Sequence, residues 1–475
     1  MVLQTNGTHD NAHFTAPVNR SMTVLDRSFF DLPISLAAIK VVDPRELRVL
    51  RSLHKDDLLQ LHGVSNIVKI FEEGKKEPDI LLLLRPELQF TDTSGMSEGL
   101  RKYLDEHADF AVVPYTLTLG YDFWKPEEIL GAILPEELLT EIPSGFTLTG
   151  HIAHMNLRDQ YLPYKAIIGQ VILDKNPSVR TVVNKLDTID SVFRTFDMEI
   201  LAGDNDLYVE QLESNCRFRF DFSKVYWNSR LQGEHDRLVA QFTQGEAVCD
   251  VMAGVGPFAI PAGKKNLVVL ANDLNGASYA SMKENIQLNK VSSTVFPYCM
   301  DGRDFIRSSV SELRKLSATR RVLRLPTKRR APDGKHKYEE VPIPSEYSHY
   351  VMNLPHAAIE FLDAFRGIHR SDHSPRDLPL PAIHVYCFHK ADADDRKVAD
   401  DVVHGALRQR VAGALGWDIP LDRLSFHFVR QVSPTKSMHC ITFQLPREVA
   451  FAVDDGTTSS TVATVAPVAE STSLD

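Results

Sequence analysis

From residue 245 onward, short apolar runs alternate with segments whose apolar positions recur at helical spacing. "AVCDVMAG" and "NLVVLAND" predict strands. "ASYASMKENIQLNK", with apolar positions near i, i+3 and i+7, predicts a helix. "YVMNLP" is a further strand, "AAIEFLDAF" a helix and "AIHVYCFHK" another strand. Strands alternating with helices imply an α/β, doubly wound, Rossmann-like parallel sheet. The end differs: "LSFHFVRQV" and "MHCITFQLP" are joined only by "SPTKS". Strands linked that tightly must be antiparallel, so the sheet acquires a reversed strand at its edge.

Upstream the pattern is mixed. Residues 21–145 hold the strand-like "ILLLL", a helix near 95–107 and the strand "FAVVPYTLTLGY", which read as a separate α+β domain. Residues 146–215 combine strand runs with a helix and read as a second, linking domain, and 216–453 as the domain of the wound sheet. "RFRFDFSKVYW" alternates over its first residues and reads as a strand or hairpin. The polar residues 1–20 and the Ser/Thr/Ala/Val tail 454–475 are expected to be disordered. The basic, aperiodic stretch 307–345 is expected to be a solvated, disordered insertion; the other readings are an RNA-touching arm or a nuclear address.

The chain has 475 residues, 43% hydrophobic and 24% charged, which suits a soluble protein of two or three domains. No apolar run approaches the roughly 20 residues of a membrane span. Cys216, Cys249, Cys299, Cys387 and Cys440 are scattered without a CxxC pair, so neither zinc nor a disulfide framework is indicated. The N-terminus lacks the apolar stretch of a secretory signal. The formal net charge of −10 argues against a nucleic-acid partner only on average, because phosphate binding needs just a local basic surface.

The chemistry begins at "DVMAGVGPFAIPA". Gly254 and Gly256 form a turn between strand and helix, the place where a nucleotide cofactor is held. Pro257 removes a backbone N–H that a pyrophosphate would use, and Asp250 would repel phosphate. S-adenosylmethionine carries no phosphate; it carries an ammonium and a sulfonium, which a carboxylate suits. Asp273, at the end of the next strand, suits the ribose hydroxyls, and Asp301, after the third, suits the adenine amino group. Any of these aspartates alone reads as a surface-loop residue; three at successive strand ends behind one glycine turn favour S-adenosylmethionine over NAD. Asn353-Leu354-Pro355 closes the following strand, where an Asn-x-Pro turn can present oxygens to a planar nitrogen nucleophile. Backbone preference for Asn and Pro in a turn is the competing reading.

"HMNLRDQYLPYKAIIGQVILDKNP", "TVVNK", "FRTFDMEILAG", "FDFSKVYWNSRLQGEHDR", "DVMAGVGPFAIPA", "NDLN", "DGRDFI" and "MNLPHAA" follow in this order. Together they resemble the eukaryotic/archaeal tRNA (guanine-37-N1)-methyltransferase family, over roughly 146–305 and 348–450. Gly276 departs from the pattern, where the family usually has proline. The resemblance implies a class I S-adenosylmethionine-dependent methyltransferase acting on the anticodon loop. Its product would be 1-methylguanosine at position 37, which serves reading-frame maintenance and, in phenylalanine tRNA, the first step toward wybutosine. It implies Glu234 as general base, Arg194 at the guanine O6 and Asn353 orienting the base. Tyr226, Arg230 and Pro355 would shape the base pocket. His235, Asp250, Gly254, Gly256, Asp273, Leu274, Asp301, Gly302 and Asn353 would line the cofactor site, with no metal. It further implies tRNA contact by the N-terminal domain, and work in cytoplasm, nucleus and mitochondrial matrix. The expected state is a monomer without a membrane partner.

The reaction makes matching demands. Guanine N1 is protonated at neutral pH, so a base must take that proton as the methyl arrives. Negative charge then grows on O6, where a guanidinium stabilises it. The guanine must be turned out of the loop to meet the cofactor. Arg158, Lys165, Lys175, Arg180, Lys185 and Arg194, with Tyr161 and Tyr164 between them, are expected to touch the RNA by charge and stacking. Two further readings stand beside this one. A related transferase could move the aminocarboxypropyl group of the same cofactor, or the chain could bind tRNA without catalysis.

Overall fold

The structure is a computed structural model. It describes all residues except 1–13, 72, 75–76, 108, 190–195, 331–335, 371–376, 392–398 and 454–475. The tail 454–475 and the start of the N-terminal segment therefore lie outside the described residues. Two compact units emerge: Met1–Asp187 with Asp197–Asp206, and Thr188–Phe196 with Leu207–Asp475.

The first unit holds two four-stranded sheets. In one, Leu32–Val41 lies between Asp79–Leu83 and Ala111–Leu119, antiparallel to both. Its side chains alternate between two cores. Ile34, Leu36 and Ala38 join one, while Ala37, Ile39 and Val41 join the other, as a period of two dictates. The first core continues into Ala153, Ile168 and Val182. An expected domain boundary at 145/146 thus runs through shared apolar packing. The predicted helix near 95–107 is Glu98–Glu106, capped by the Ser97 hydroxyl. In the second sheet, Ile152–Met155 runs parallel to Thr181–Ile189.

Residues 14–20 depart from the expected disorder. Phe14 and Ala16 pack on the first core, and the Asn19 N–H donates to the Ala132 carbonyl at 2.9 Å. Apolar residues spaced two apart in a polar stretch are too sparse to signal an element, yet enough to anchor a strap.

The second unit opens with a hairpin, Tyr208–Glu213 with Cys216–Asp221. Its turn residues Ser214 and Asn215 both take positive φ (52° and 56°), the twist that a two-residue hairpin needs. Then come α1 (Gln232–Gln241), β1 (Ala247–Asp250), α2 (Ala259–Lys264), β2 (Val268–Asn272), α3 (Gly276–Leu288), β3 (Val295–Tyr298) and α4 (Gly302–Arg320). They are followed by β4 (His349–Met352), β5 (Ala382–Lys390), α5 (Asp400–Leu415), β6 (Ser425–Ser433) and β7 (Lys436–Gln444). The sheet order is β3-β2-β1-β4-β5-β7-β6. β1 to β5 are mutually parallel, and β7 is antiparallel to both β5 and β6. The reversed strand is therefore one place in from the edge, and edge strand β6 runs with the parallel set. Every residue of β1 and β2 is buried, which explains their unbroken apolar runs.

Three further expectations change. The stretch read as a disordered insertion begins inside α4 and continues as an antiparallel hairpin, Val322–Arg330 with His336–Pro342. Its charged composition hid the strands. "AAIEFLDAF" forms a 3₁₀ segment, Ala358–Phe365, rather than an α-helix. Gly276 is the first residue of α3, capped by the Asn275 side chain, so the missing proline leaves the helix start intact.

Candidate active site

Order reverses between β1 and β4, so the crevice outside their carboxyl ends is the switch point where ligands bind. The glycine turn forms one wall. Gly254 and Gly256 take φ of +56° and +98°. A Cβ on Gly256 would meet the Ile260 side chain at 2.9 Å, so that glycine serves packing. A Cβ on Gly254 would meet nothing within 4 Å, so the turn faces open space there.

The turn's hydrogen bonds decide what that space suits. The Gly254 N–H donates to Asp273 Oδ2 at 2.8 Å, and the Asn275 N–H donates to Oδ1 at 2.9 Å. With Gly254 engaged and Pro257 lacking an N–H, the turn is short of donors for a pyrophosphate. Asp250 is 0% exposed, and neither carboxylate oxygen has a hydrogen-bond donor. Burial, reinforced by the neighbouring Asp273 charge, holds its carboxyl well above the usual range; burial also raises Asp273. Two buried carboxylates with acceptor capacity left over fit a cationic, phosphate-free cofactor, and S-adenosylmethionine is one. Asp301 caps α4, accepting from the Arg303 N–H at 2.8 Å, and Gly302 lies against Phe361. Leu274 is exposed at the rim.

Two asparagines hold this wall, and sequence reading missed both. Asn272 Nδ2 donates to the Val251 and Met300 carbonyls at 3.1 and 3.0 Å, while its Oδ1 accepts from the Met300 N–H. It ties together the ends of the first three strands. Asn285 Nδ2 donates to the Val255 carbonyl at 3.2 Å, and its Oδ1 accepts from the Arg219 N–H at 2.7 Å. A polar residue closing the apolar run "VVLAN" was the available signal for Asn272.

The other wall carries Asn353 and Glu234. Asn353 Oδ1 is buried without a donor. The Pro355 carbonyl accepts from the Phe388 N–H at 2.8 Å, pinning the Asn-Leu-Pro turn to β5. Glu234 sits in the first turn of α1, its side chain 5% exposed. Arg237 grips it through Nε and Nη2, both at 2.6 Å; the Tyr386 hydroxyl donates to Oε1 at 2.7 Å, and His427 Nε2 lies 3.2 Å from Oε2. Val385 pairs with Met352 across β5 and β4. Asn353 directly follows β4, and Tyr386 directly follows Val385 on the paired strand β5, so the Glu234 carboxylate that Tyr386 holds belongs to the strand next to the Asn353 turn. Sequence reading singled out Glu234 but missed Arg237, Tyr386 and His427.

His235 turns inward. Its Nδ1 lies 2.5 Å from Glu213, and its ring meets Phe258 edge-on at 4.7 Å. Phe258 in turn neighbours Tyr386, with centroids 5.9 Å apart. His235 therefore braces the turn from behind. Tyr226 and Arg230 are both exposed, before α1. Arg194 lies outside the described residues.

In the first unit, much of the expected RNA face is engaged within the fold. Arg158 pairs with Glu141 at 2.7 Å, Lys165 with Glu199 at 2.6 Å and Arg180 with Asp206 at 3.2 Å. Lys175 donates to the Tyr121 carbonyl and lies over that ring. Tyr161 is a correction: it is buried and its hydroxyl donates to the Glu141 carbonyl, so it is no stacking platform. Tyr164 is half-buried beside the same core, and Lys185 is half-buried in its strand.

Comparison with known proteins agrees with this geometry. Residues 127–206 match the family described as TYW2 N-terminal domain, and 209–321 the TRM5/TYW2 methyltransferase domain. A solved complex described as aTrm5 and tRNALeu superposes with a TM-score of 0.56 at 19% identity, covering 86% of this chain and 99% of that one. Wild-type Trm5b from Pyrococcus abyssi gives 0.50 at 21%, with the same coverage. Among curated relatives, the tRNA (guanine(37)-N(1))-methyltransferase of Schizosaccharomyces pombe is 48% identical over 90% of this chain and 95% of its own length. That of Saccharomyces cerevisiae is 44% identical over 92% and 95%. The chain belongs to the tRNA (guanine(37)-N(1))-methyltransferase family.

Proposed function

We propose that this chain methylates N1 of guanosine 37 in tRNA with Glu234 as the base, Asn353 as the group that orients guanine, and Arg194 at O6. The activity is that of the family, which the curated relatives carry over nine tenths of this chain. S-adenosylmethionine supplies an electrophilic methyl on a sulfonium when bound. The chain's own work is to place, desolvate and deprotonate. Asp250 and Asp273 offer negative charge to the cationic end and the ribose, and the open space at Gly254 admits them. Asn353 Oδ1 accepts from a guanine N–H and holds the ring in plane. Glu234 takes the N1 proton as the ring nitrogen attacks, and Arg194 stabilises the charge that grows on O6. Holding both reactants in line is itself a large part of the acceleration.

One observation carries this reading: Asn353, whose buried Oδ1 has no donor among the described residues, directly follows β4, and the neighbouring strand β5 carries Tyr386, which holds the Glu234 carboxylate. An orienting acceptor and a base then stand beside one crevice. The test is methylation of two tRNA transcripts, one with guanosine and one with adenosine at position 37, followed by mass spectrometry of the nucleosides. One added methyl on the guanosine transcript alone is expected. An aminocarboxypropyl adduct, or modification of both transcripts, would refute it. Work in cytoplasm, nucleus and mitochondrial matrix, as a monomer, belongs to the same proposal; cell fractionation and sedimentation test it.

A further inference from the structure

A carboxylate offers about four acceptor positions, two on each oxygen. Three hydrogen bonds fill three of those of Glu234: Arg237 Nη2 and the Tyr386 hydroxyl donate to Oε1, and Arg237 Nε donates to Oε2. The fourth, on Oε2, is faced by His427 Nε2 at 3.2 Å, a charge contact rather than an aligned hydrogen bond. A base must hydrogen-bond the proton that it removes, so guanine N1–H requires one of these positions. The Arg237 fork is bidentate at 2.6 Å, and Tyr386 is fully buried at 2.7 Å. His427 makes the longest contact, 3.2 Å, from a side chain 44% exposed. It lies on β6, where Cys440 of β7 is its Cα partner and also that of Tyr386.

We propose that His427 is a positioning residue that holds the place of guanine N1–H on Glu234 Oε2 and leaves when the base enters. This inference rests on Glu234 being the base. As guanine docks, the imidazole swings toward solvent and N1–H replaces it. The N1–H bond then breaks, the proton bonds to Oε2, and the electron pair stays on the ring to form the new bond to methyl, whose bond to the sulfonium sulfur would break with that pair left on sulfur. A neutral imidazole yields its place readily. An imidazolium forms an ion pair with the carboxylate and resists displacement, so acid slows the enzyme through this contact. The titratable groups around this contact are Arg237 from α1, Tyr386 from β5 and, on β7, Cys440 opposite His427 with His439 next to it along the chain. Pairing with Glu234 raises Arg237, and burial raises Tyr386 and pushes Cys440 up to about 11. Burial holds His439 down at about 4. None of those four changes charge between pH 6 and pH 8.

The test is the pH dependence of single-turnover methylation of a guanosine-37 transcript by the full chain, His427→Ala, His427→Gln and Glu234→Gln. The wild-type rate should fall by about threefold or more from pH 8 to pH 6. Both His427 variants should lose that acid limb. Their affinity for S-adenosylmethionine should be unchanged. An acid limb retained by His427→Gln overturns the placeholder role, including the case where His427→Ala fails to fold. Undiminished methylation by Glu234→Gln instead overturns the reading beneath it, so the two failures are distinguishable.

Discussion

Two buried carboxylates at this crevice are solvated in opposite ways. Among the described residues Asp250 has no donor on either oxygen, whereas Glu234 accepts three hydrogen bonds and faces His427 at 3.2 Å. The first is an incomplete site, because an uncompensated buried charge costs several kcal/mol until a cation or a proton arrives. Its environment favours the proton in the absence of ligand and a cationic ligand when one is present. The second is already held in place by the chain's own donors. The cofactor wall therefore stores a demand for charge, and the base wall stores orientation.

The largest effect should come from breaking the base wall. Glu234→Gln keeps the shape and removes the basicity, so single-turnover methylation should fall by about 10²–10⁴-fold. Calorimetry should find S-adenosylmethionine affinity within about twofold. Breaking the cofactor wall should invert that pattern. Asp250→Asn should weaken S-adenosylmethionine by about 10–100-fold, the worth of one charged hydrogen bond. It should also leave the ligand-free protein as stable or more stable in thermal unfolding, because a buried unpaired acid is gone. A loss of stability together with unchanged affinity would mean that Asp250 serves the fold alone.

Asn272→Ala sharpens the contrast further. It frees two carbonyls and one N–H at the strand ends and should cost about 1–3 kcal/mol in denaturant unfolding. S-adenosylmethionine should bind less tightly, and the pH profile set at Glu234 should not shift. The smallest effect lies on the same face of β5, two residues before Tyr386. His384 hydrogen-bonds His349 and Thr442, and burial pushes it down to about 3. Its folded value lies below the unfolded 6.5, so the unfolded chain binds more protons between those limits. Stability should therefore fall by about 1.4 kcal/mol per pH unit as pH drops below 6.5. His384→Asn should flatten that slope in urea titrations at pH 7.5 and pH 5.

The cofactor wall was legible because its residues are local to strand ends. Asp250 and Asp273 each close or directly follow an apolar run, as Asn353 does on the base wall, and a parallel sheet brings such ends together. The base wall was legible only in part. Glu234 came from its surrounding motif, but Tyr386 lies 152 residues away along the chain and reaches it only through strand pairing. The hairpin after α4 was hidden for another reason, since its strands are short of the apolar alternation that marks a buried face. Tyr161 was misread because an aromatic among basic residues looks alike whether it faces solvent or core.

By itself the sequence determined the wound sheet, the glycine turn and the phosphate-free cofactor, since period, backbone freedom at glycine and loss of an N–H at proline are local properties. Only the tertiary structure decided the order of the last strands, the sharing of the N-terminal core and the groups gathered around Glu234. Those depend on which distant side chains share one small volume, and pairing across a sheet fixes that where neighbourhood along the chain does not.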